Sequence, residues 1–139
     1  MQLAEQGVHL EGTILKPNMV ISGTEHPEQA GHELVAERTL ACLRDCVPAA
    51  VPGIAFLSGG QSDEDATAHL DAMNRLANKM GAHPWRLSFS YGRALQAAPL
   101  KAWSGQENNV PAAQDAFAHR AEMNALATRG RWEAKLETA

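Results

Sequence analysis

The sequence predicts an α/β fold with parallel strands, and two observations support this prediction. Three short apolar segments recur along the chain, and proline or glycine residues bound them. Stretches with helical periodicity separate these segments and also follow the last one. Regular alternation of strands and helices requires crossover connections, which place successive strands parallel to one another.

The predicted strands are apolar segments that fit half-buried or buried positions in a sheet. Proline directly follows the first segment and directly precedes each of the other two, so the strand ends are marked by a residue that cannot donate to a ladder. The three predicted strands are VHLEGTILK (8–16), GIAFLS (53–58) and WRLSFSY (85–91).

Two helices are predicted between these strands, at 31–47 and 63–80, because apolar residues recur there every three or four positions. Ser62 is a suitable N-cap for the second helix, and acidic residues fill its first turn. Gly81 is a suitable end for it.

Two further helices are expected after the third strand. The first covers about 94–103. The second is rich in alanine and begins near Asn109, with Pro111 in its first turn and Gly130 as its end signal. The alternation of strand and helix therefore continues to the last third of the chain.

Composition favours a single globular domain over residues 1–139, because the chain is 45% hydrophobic and only 20% charged. A net charge of −4 with dispersed Lys and Arg argues against nucleic acid as a partner. No segment has the length and apolarity of a membrane span, and the first residues do not resemble a signal peptide. We therefore expect a cytoplasmic protein without a membrane partner.

The cysteines and histidines do not indicate a metal site or a cofactor. Cys42 and Cys46 are four residues apart in a predicted helix, which suits neither a disulfide nor a zinc knuckle, so we expect buried free thiols. The six histidines form no ligand motif. We interpret His69 as a residue at the boundary of its helix's apolar stripe.

Lys16 ends the first apolar segment and has two interpretations. Its ammonium could reach water or an ion-pair partner, which placement alone favours. Alternatively, Lys16 could be a nucleophilic amine, since an uncharged amine attacks a carbonyl to form an imine and a lysine in an apolar strand would be desolvated. The side-chain pattern by itself leaves both interpretations open.

The turns after the second and third strands have features that suit an anion. Glycines let backbone N–H groups approach a phosphate, serine adds a hydroxyl, and arginine offers a planar set of donors. The alternative is that both are tight turns that need glycine for their backbone angles. The acidic start of the following helix disfavours an anion directly on that helix end. The candidate residues are Ser58, Gly59, Gly60, Ser90, Gly92 and Arg93.

The segments LEGTILKPNMV, GIAFLSGGQSDEDA and LSFSYGRALQ, in this order and spacing, resemble the class I, Schiff-base-forming fructose-bisphosphate aldolases. The phrases KAWSGQENN and PAAQDAFAHRAEMNALA extend the resemblance nearly to the end of the chain. That family folds as an eight-stranded (β/α)8 TIM barrel. The resemblance implies that this chain corresponds to strands six to eight with their helices, as an incomplete barrel.

By the same resemblance, Lys16 corresponds to the lysine that forms an iminium with dihydroxyacetone phosphate or fructose 1,6-bisphosphate. The six serine, glycine and arginine residues of the two turns correspond to the substrate-phosphate loops. The family's acid–base groups lie on earlier strands, which this chain lacks. With both sheet edges open, we expect association with a second copy or with a complementary barrel segment; the family is commonly tetrameric.

Two functions follow as expectations. The first is an enzyme, a lyase of glycolysis that cleaves fructose 1,6-bisphosphate reversibly to dihydroxyacetone phosphate and glyceraldehyde 3-phosphate. The second is a catalytically silent module that binds phosphorylated sugars or assembles with the missing strands.

Overall fold

The computed structural model describes residues 2–81 and 83–138. Short 3-10 helices lie at Leu10–Gly12, Glu107–Asn109 and Ala134–Thr138. The α-helices and strands of the described residues are, in chain order, α1 (Gln2–Glu5), β1 (Ile14–Leu15), α2 (His32–Cys46), β2 (Gly53–Phe56), α3 (Asp63–Met80), β3 (Arg86–Phe89), α4 (Arg93–Trp103) and α5 (Val110–Ala127).

The three strands form one parallel sheet in the order β1-β2-β3. Gly53 pairs with both Ile14 and Arg86, so the three strands start in the same row. This arrangement confirms the predicted α/β class with parallel strands. Within the described residues β1 and β3 each pair only with β2, so the sheet is open rather than closed into a barrel.

The first strand is much shorter than predicted. The sequence predicts a strand over 8–16, whereas β1 covers only Ile14–Leu15 and a 3-10 helix occupies Leu10–Gly12. The backbone N–H of Gly12 donates to His9 O at 3.2 Å, so local turns satisfy this backbone. β2 begins at Gly53, which pairs with Ile14, so in the described residues no strand lies beside the segment before Ile14. Without a partner strand that segment does not extend as a strand.

The hydrophobic core lies between one face of the sheet and the helices α2 and α3. Alternate strand residues face this core. Ile54 and Phe56 of β2 and Leu87 of β3 are all buried. They pack with Leu40 of α2 and Leu70 of α3 in one cluster. Burial of side chains of this size stabilises the fold by about 1.5–3 kcal/mol each.

The helix boundaries predicted between the strands are confirmed. Ser62 is the N-cap of α3, and its Oγ accepts a hydrogen bond from Asp65 N at 3.0 Å. Gly81 follows the last turn with φ +86°, a conformation that favours glycine. The Ser62 cap places the start of α3 directly after the glycine turn that follows β2.

The expectation of buried cysteines is wrong, because Cys42 and Cys46 are both free and exposed. The buried face of α2 near its end is formed by Leu40 and Leu43 instead. Cys46 lines an open apolar cleft of about 210 Å³ beside Leu15, at the edge of the sheet where the described residues place no strand beyond β1. The helical period therefore identified the stripe but not how far the core covers it.

Candidate functional site

Lys16 follows β1 directly and lies at the carboxyl end of the first strand. The backbone N–H of Leu57 donates to Pro17 O at 3.0 Å, so the pairing of the two chain segments continues past Lys16. The side chain of Lys16 is exposed, and Leu15 before it is 38% exposed. The desolvation expected for a lysine in an apolar strand is therefore not present in the described residues, because nothing covers this end of the sheet.

Lys16 lies in a row of the sheet whose other side chains are small. Extending the register of β1 and β2 by one residue places Lys16 beside Ala55, which pairs with Ser88. Residues in one such row project from the same face, opposite to the buried Ile54 and Phe56. Small neighbours leave space beside the lysine in which a ligand can approach its amine.

The turn between β2 and α3 requires glycine at one position only. Gly59 has φ +56°, and a Cβ atom there would lie 2.9 Å from Asn18 Oδ1. Asn18 comes from the segment after β1, and its Oδ1 accepts a hydrogen bond from Met19 N at 2.9 Å. A Cβ atom on Gly60 would meet nothing within 4 Å. Gly59 thus permits close packing of the loops that follow β1 and β2.

Arg93 connects the turn after β3 with the turn after β2. Its Nη1 donates to Asp63 Oδ1 at 3.2 Å, and its Nη2 donates to Gly59 O at 3.4 Å and to Gln61 O. The Arg93 side chain is 49% exposed. The two predicted anion turns therefore come together, but these guanidinium donors are directed at the β2–α3 loop.

The turn after β3 continues the sheet and then starts α4. The backbone N–H of Ser90 donates to Phe56 O at 2.8 Å, which extends the β2–β3 pairing. Gly92 is the N-cap of α4 and has no side chain to satisfy the first amides of that helix. Ser90 and Gly92 are both exposed, so their backbone and hydroxyl groups are accessible at this end of the sheet.

A buried hydrogen-bond chain supports the β2–α3 turn from below. Gln61 Nε2 donates to Ser58 O at 3.0 Å, and Gln61 Oε1 lies 2.5 Å from His69 Nδ1. Ser58, Gln61 and His69 are all buried. The interpretation of His69 as a boundary residue is therefore wrong. Burial, with a smaller contribution from the nearby His32, lowers the pKa of His69 to about 4.

A cavity of about 420 Å³ lies behind the same turn and is lined by residues of the loop after β1, α2 and α3. The ring centroids of His32 and His69 in its wall are 4.9 Å apart in an edge-to-face arrangement. His32 Nε2 lies 3.3 Å from Asp65 Oδ1, and the Ser62 hydroxyl is the main cause of the lowered pKa of Asp65. This cavity separates the turn from α2.

The sequence identified the exposed groups of this region but missed those that support them. Gly59, Gly60, Ser90, Gly92 and Arg93 lie in two adjacent turns, and Ser58 is buried beneath them. Asn18, Gln61 and Asp63 were not singled out, although Asn18 follows Lys16 closely and Gln61 follows the glycine pair, and His69 was interpreted only as a boundary residue. Polar residues are common in loops and on helices, so only their contacts distinguish these four.

Two features of residues 2–81 and 83–138 bear on other classes of function. No three His, Cys, Asp or Glu side chains there come together in a way that suits a metal ion. No helix in the same ranges is long and apolar enough to cross a membrane.

The family model of class I fructose-bisphosphate aldolase, described as glycolytic, matches residues 1–139. Among curated proteins, the muscle-type fructose-bisphosphate aldolase of Lethenteron camtschaticum is 54% identical over 131 residues, which are 94% of this chain and 35% of that protein. The cytoplasmic isozyme of Cicer arietinum is also 54% identical over 131 residues, with the same coverage of 94% and 35%. A probable class 1 aldolase of Xanthomonas campestris is 55% identical over 132 residues, covering 94% of this chain and 38% of that protein.

A solved structure shows the same fold. Fructose-bisphosphate aldolase from Plasmodium falciparum, in complex with TRAP and a small-molecule inhibitor, superposes with a TM-score of 0.89 at 48% identity. The match covers 95% of this chain and 37% of that one. The chain therefore spans little more than a third of the length of the relatives it matches. The full-length match to the family model and the shared fold lead to one conclusion: this chain belongs to the class I fructose-bisphosphate aldolase family.

Proposed function

We propose that this chain supplies the imine-forming lysine and the phosphate contacts of a fructose-bisphosphate aldolase acting in glycolysis in the cytoplasm. The reaction is the reversible cleavage of fructose 1,6-bisphosphate to dihydroxyacetone phosphate and glyceraldehyde 3-phosphate. The observation that supports this best is the position of Lys16 at a strand end, next to two glycine-containing turns that Arg93 joins. Family membership adds the expectation of this chemistry.

The proposed covalent step uses the Lys16 amine as the nucleophile. Its nitrogen attacks the C2 carbonyl of the sugar, and loss of one water molecule gives a protonated imine. The C3–C4 bond then breaks, its electron pair moves into the iminium to give an enamine, and the C4 hydroxyl loses its proton as the aldehyde leaves. Protonation of the enamine at C3 and hydrolysis of the iminium release dihydroxyacetone phosphate and regenerate the amine.

The proposed phosphate contacts are the backbone and hydroxyl groups of the two turns. No backbone hydrogen bond within residues 2–81 and 83–138 engages the N–H groups of Gly59, Gly60 or Gly92. These amides are the donors that a phosphate needs. Arg93 adds positive charge, although Asp63 at 3.2 Å offsets part of it. Ser58 and Ser90 complete the proposed set.

The proposed acid–base groups come from strands outside this chain. Ile14 in β1 is 71% exposed, and in the described residues no strand pairs with the outer edge of β1 or of β3. Such edges and faces favour association, because uncovered apolar surface and unpaired backbone groups are costly in water. We propose that a complementary barrel segment or a second copy of the chain covers them.

A second candidate function is a silent module that binds phosphorylated sugars without forming an imine. The exposure of Lys16 favours it, because within the described residues Lys16 is not enclosed as the nucleophile of a covered active site would be. Both candidates share the phosphate turns and differ only in the covalent step. The test must therefore measure imine formation and phosphate binding separately.

Borohydride trapping with dihydroxyacetone phosphate tests the covalent step. Reduction of the imine should leave a stable mass adduct that peptide mapping assigns to Lys16. Lys16→Met should abolish the adduct. Lys101→Met, which removes an exposed lysine of α4, is the matched control and should retain it.

Phosphate binding measured by isothermal titration then separates the two functions. An adduct on Lys16 together with phosphate binding supports the aldolase chemistry. Phosphate binding without an adduct supports the silent module instead. Absence of both would contradict the proposed site altogether.

A further inference from the structure

Two buried side chains stabilise the β2–α3 turn: His69 contacts Gln61, and Gln61 contacts the turn at Ser58 O. Gln61 is 8% exposed and His69 is 6% exposed. The 2.5 Å contact between Gln61 Oε1 and His69 Nδ1 is short and excluded from solvent. Buried hydrogen bonds of this kind hold a single arrangement, since breaking one leaves an unsatisfied polar group.

The hydrogen bonds that join Ser58, Gln61 and His69 have one consistent assignment of donors and acceptors. Gln61 Nε2 donates to the carbonyl oxygen of Ser58 at 3.0 Å, so Oε1 is the amide atom that faces the histidine. An amide oxygen only accepts hydrogen bonds, and therefore Nδ1 of His69 carries the proton. The low pKa of His69, about 4, keeps the ring neutral near pH 7.

The Ser58 carbonyl is held by two donors from the same residue. The backbone N–H of Gln61 donates to it at 3.2 Å, and the side-chain amide donates to it at 3.0 Å. In a trans peptide unit the C=O and the following N–H point in opposite directions. With the Ser58 carbonyl directed at buried Gln61, the N–H of Gly59 is directed away from that residue.

We propose that His69 is a positioning residue for the phosphate turn: through Gln61 it orients the Ser58–Gly59 peptide so that the Gly59 N–H faces an incoming phosphate. This inference rests on the proposed function, because it needs the phosphate site, but it concerns residues outside the predicted contact set. His69 itself touches no phosphate; it acts only through the Gln61 amide.

Two amide substitutions separate this role from general packing. In His69→Asn the side-chain amide nitrogen takes the place of Nδ1 and can still donate to Gln61 Oε1. In His69→Gln the amide lies further out, near the place of Nε2, and the donor to Gln61 is lost. Both variants lose ring burial, so both should lower the melting temperature.

Isothermal titration with inorganic phosphate on the full chain is the test. We expect His69→Asn to bind about as tightly as the unmodified chain and His69→Gln to bind about tenfold more weakly, the effect of one lost hydrogen bond. Affinity should therefore follow the position of the donor and not the melting temperature. Equal affinities for the two variants would overturn the inference.

A variant of Gln61, the residue between His69 and Ser58, keeps the test decisive if His69→Gln does not fold. Gln61→Met removes both the donor to the Ser58 carbonyl and the acceptor for His69, and should also weaken phosphate binding about tenfold. A folded Gln61→Met protein with undiminished affinity would overturn the inference alone. Failure of the unmodified chain to bind phosphate would overturn the phosphate site and this role together.

Discussion

The carboxyl ends of β2 and β3 differ from the carboxyl end of β1 in how they are supported. Arg93 connects the turns after β2 and β3, and buried Gln61 and His69 support the turn after β2. Lys16, at the end of β1, is exposed, and no strand lies beyond β1 in the described residues. The turns after β2 and β3 are therefore stabilised by contacts within this chain, whereas the end of β1 needs further strands to cover it.

This difference separates the two parts of the proposed chemistry. A phosphate site needs backbone amides in two adjacent turns, and adjacent βα units supply these locally. A reactive amine needs a covered, polarised environment, which strands from elsewhere in a barrel must provide. Anion binding should therefore depend less on the missing strands than imine formation does.

The largest expected effect is a difference in the free energy of unfolding between a variant of β2 and a variant of β1. Phe56→Ala in β2 removes a fully buried side chain and should lower the free energy of unfolding by about 3–5 kcal/mol. Ile14→Ala in β1 removes a side chain that is 71% exposed and should change it by less than about 0.5 kcal/mol. Urea unfolding followed by circular dichroism measures both. A cost for Ile14→Ala close to that for Phe56→Ala would show that the β1 edge is covered in solution.

The next effect is a pH dependence of the free energy of unfolding, which arises from His69 beneath the β2–α3 turn. The pKa of His69 is lowered from 6.5 to about 4, mainly by burial, so protonation favours the unfolded chain. This contribution to stability is complete above pH 6.5 and is lost as the pH falls toward 4, by on the order of 1 kcal/mol per pH unit. Unfolding measured between pH 7 and pH 4 gives the slope.

His69→Asn is the matched control for this slope, because asparagine keeps a donor to Gln61 and does not titrate. The other histidines are present in both proteins, so the difference between the two slopes belongs to His69. Identical slopes would contradict a buried neutral ring at this position.

The smallest expected effect compares two neighbouring glycines. Gly59→Ala places a side chain at φ +56° and 2.9 Å from Asn18 Oδ1, and should cost about 1–2 kcal/mol in stability. It should also weaken phosphate binding, since the Gly59 amide would move. A Cβ atom at Gly60 meets no protein atom within 4 Å, so Gly60→Ala should leave the free energy of unfolding nearly unchanged. Urea unfolding compares the stability of the two variants, and phosphate titration measures the binding of Gly59→Ala. Equal losses of stability for the two variants would argue against the special role of Gly59.

Much of the fold was predictable because its signals are local. The start of α3 at Asp63 follows from an N-cap at Ser62, and its end follows from Gly81. The parallel order of the strands follows from their alternation with helices. The length of β1 was not predictable in this way, because an apolar segment extends as a strand only where another strand pairs with it.

The candidate site was predictable only where residue type and position act together. Glycine and arginine at strand ends indicated the two turns, and the structure brings these turns into contact through Arg93. The roles of Lys16 and of the turn residues stay predictions. Asn18, Gln61 and His69 were missed because their importance lies in contacts with residues distant in the sequence, which a local pattern does not contain.

The sequence by itself determined the order of strands and helices, the caps and the candidate residues, because each depends on near neighbours along the chain. Only the tertiary structure decided which of these residues are covered. Burial depends on what packs across from a residue, and that is why His69 is enclosed while Cys42, Cys46 and Lys16 face solvent.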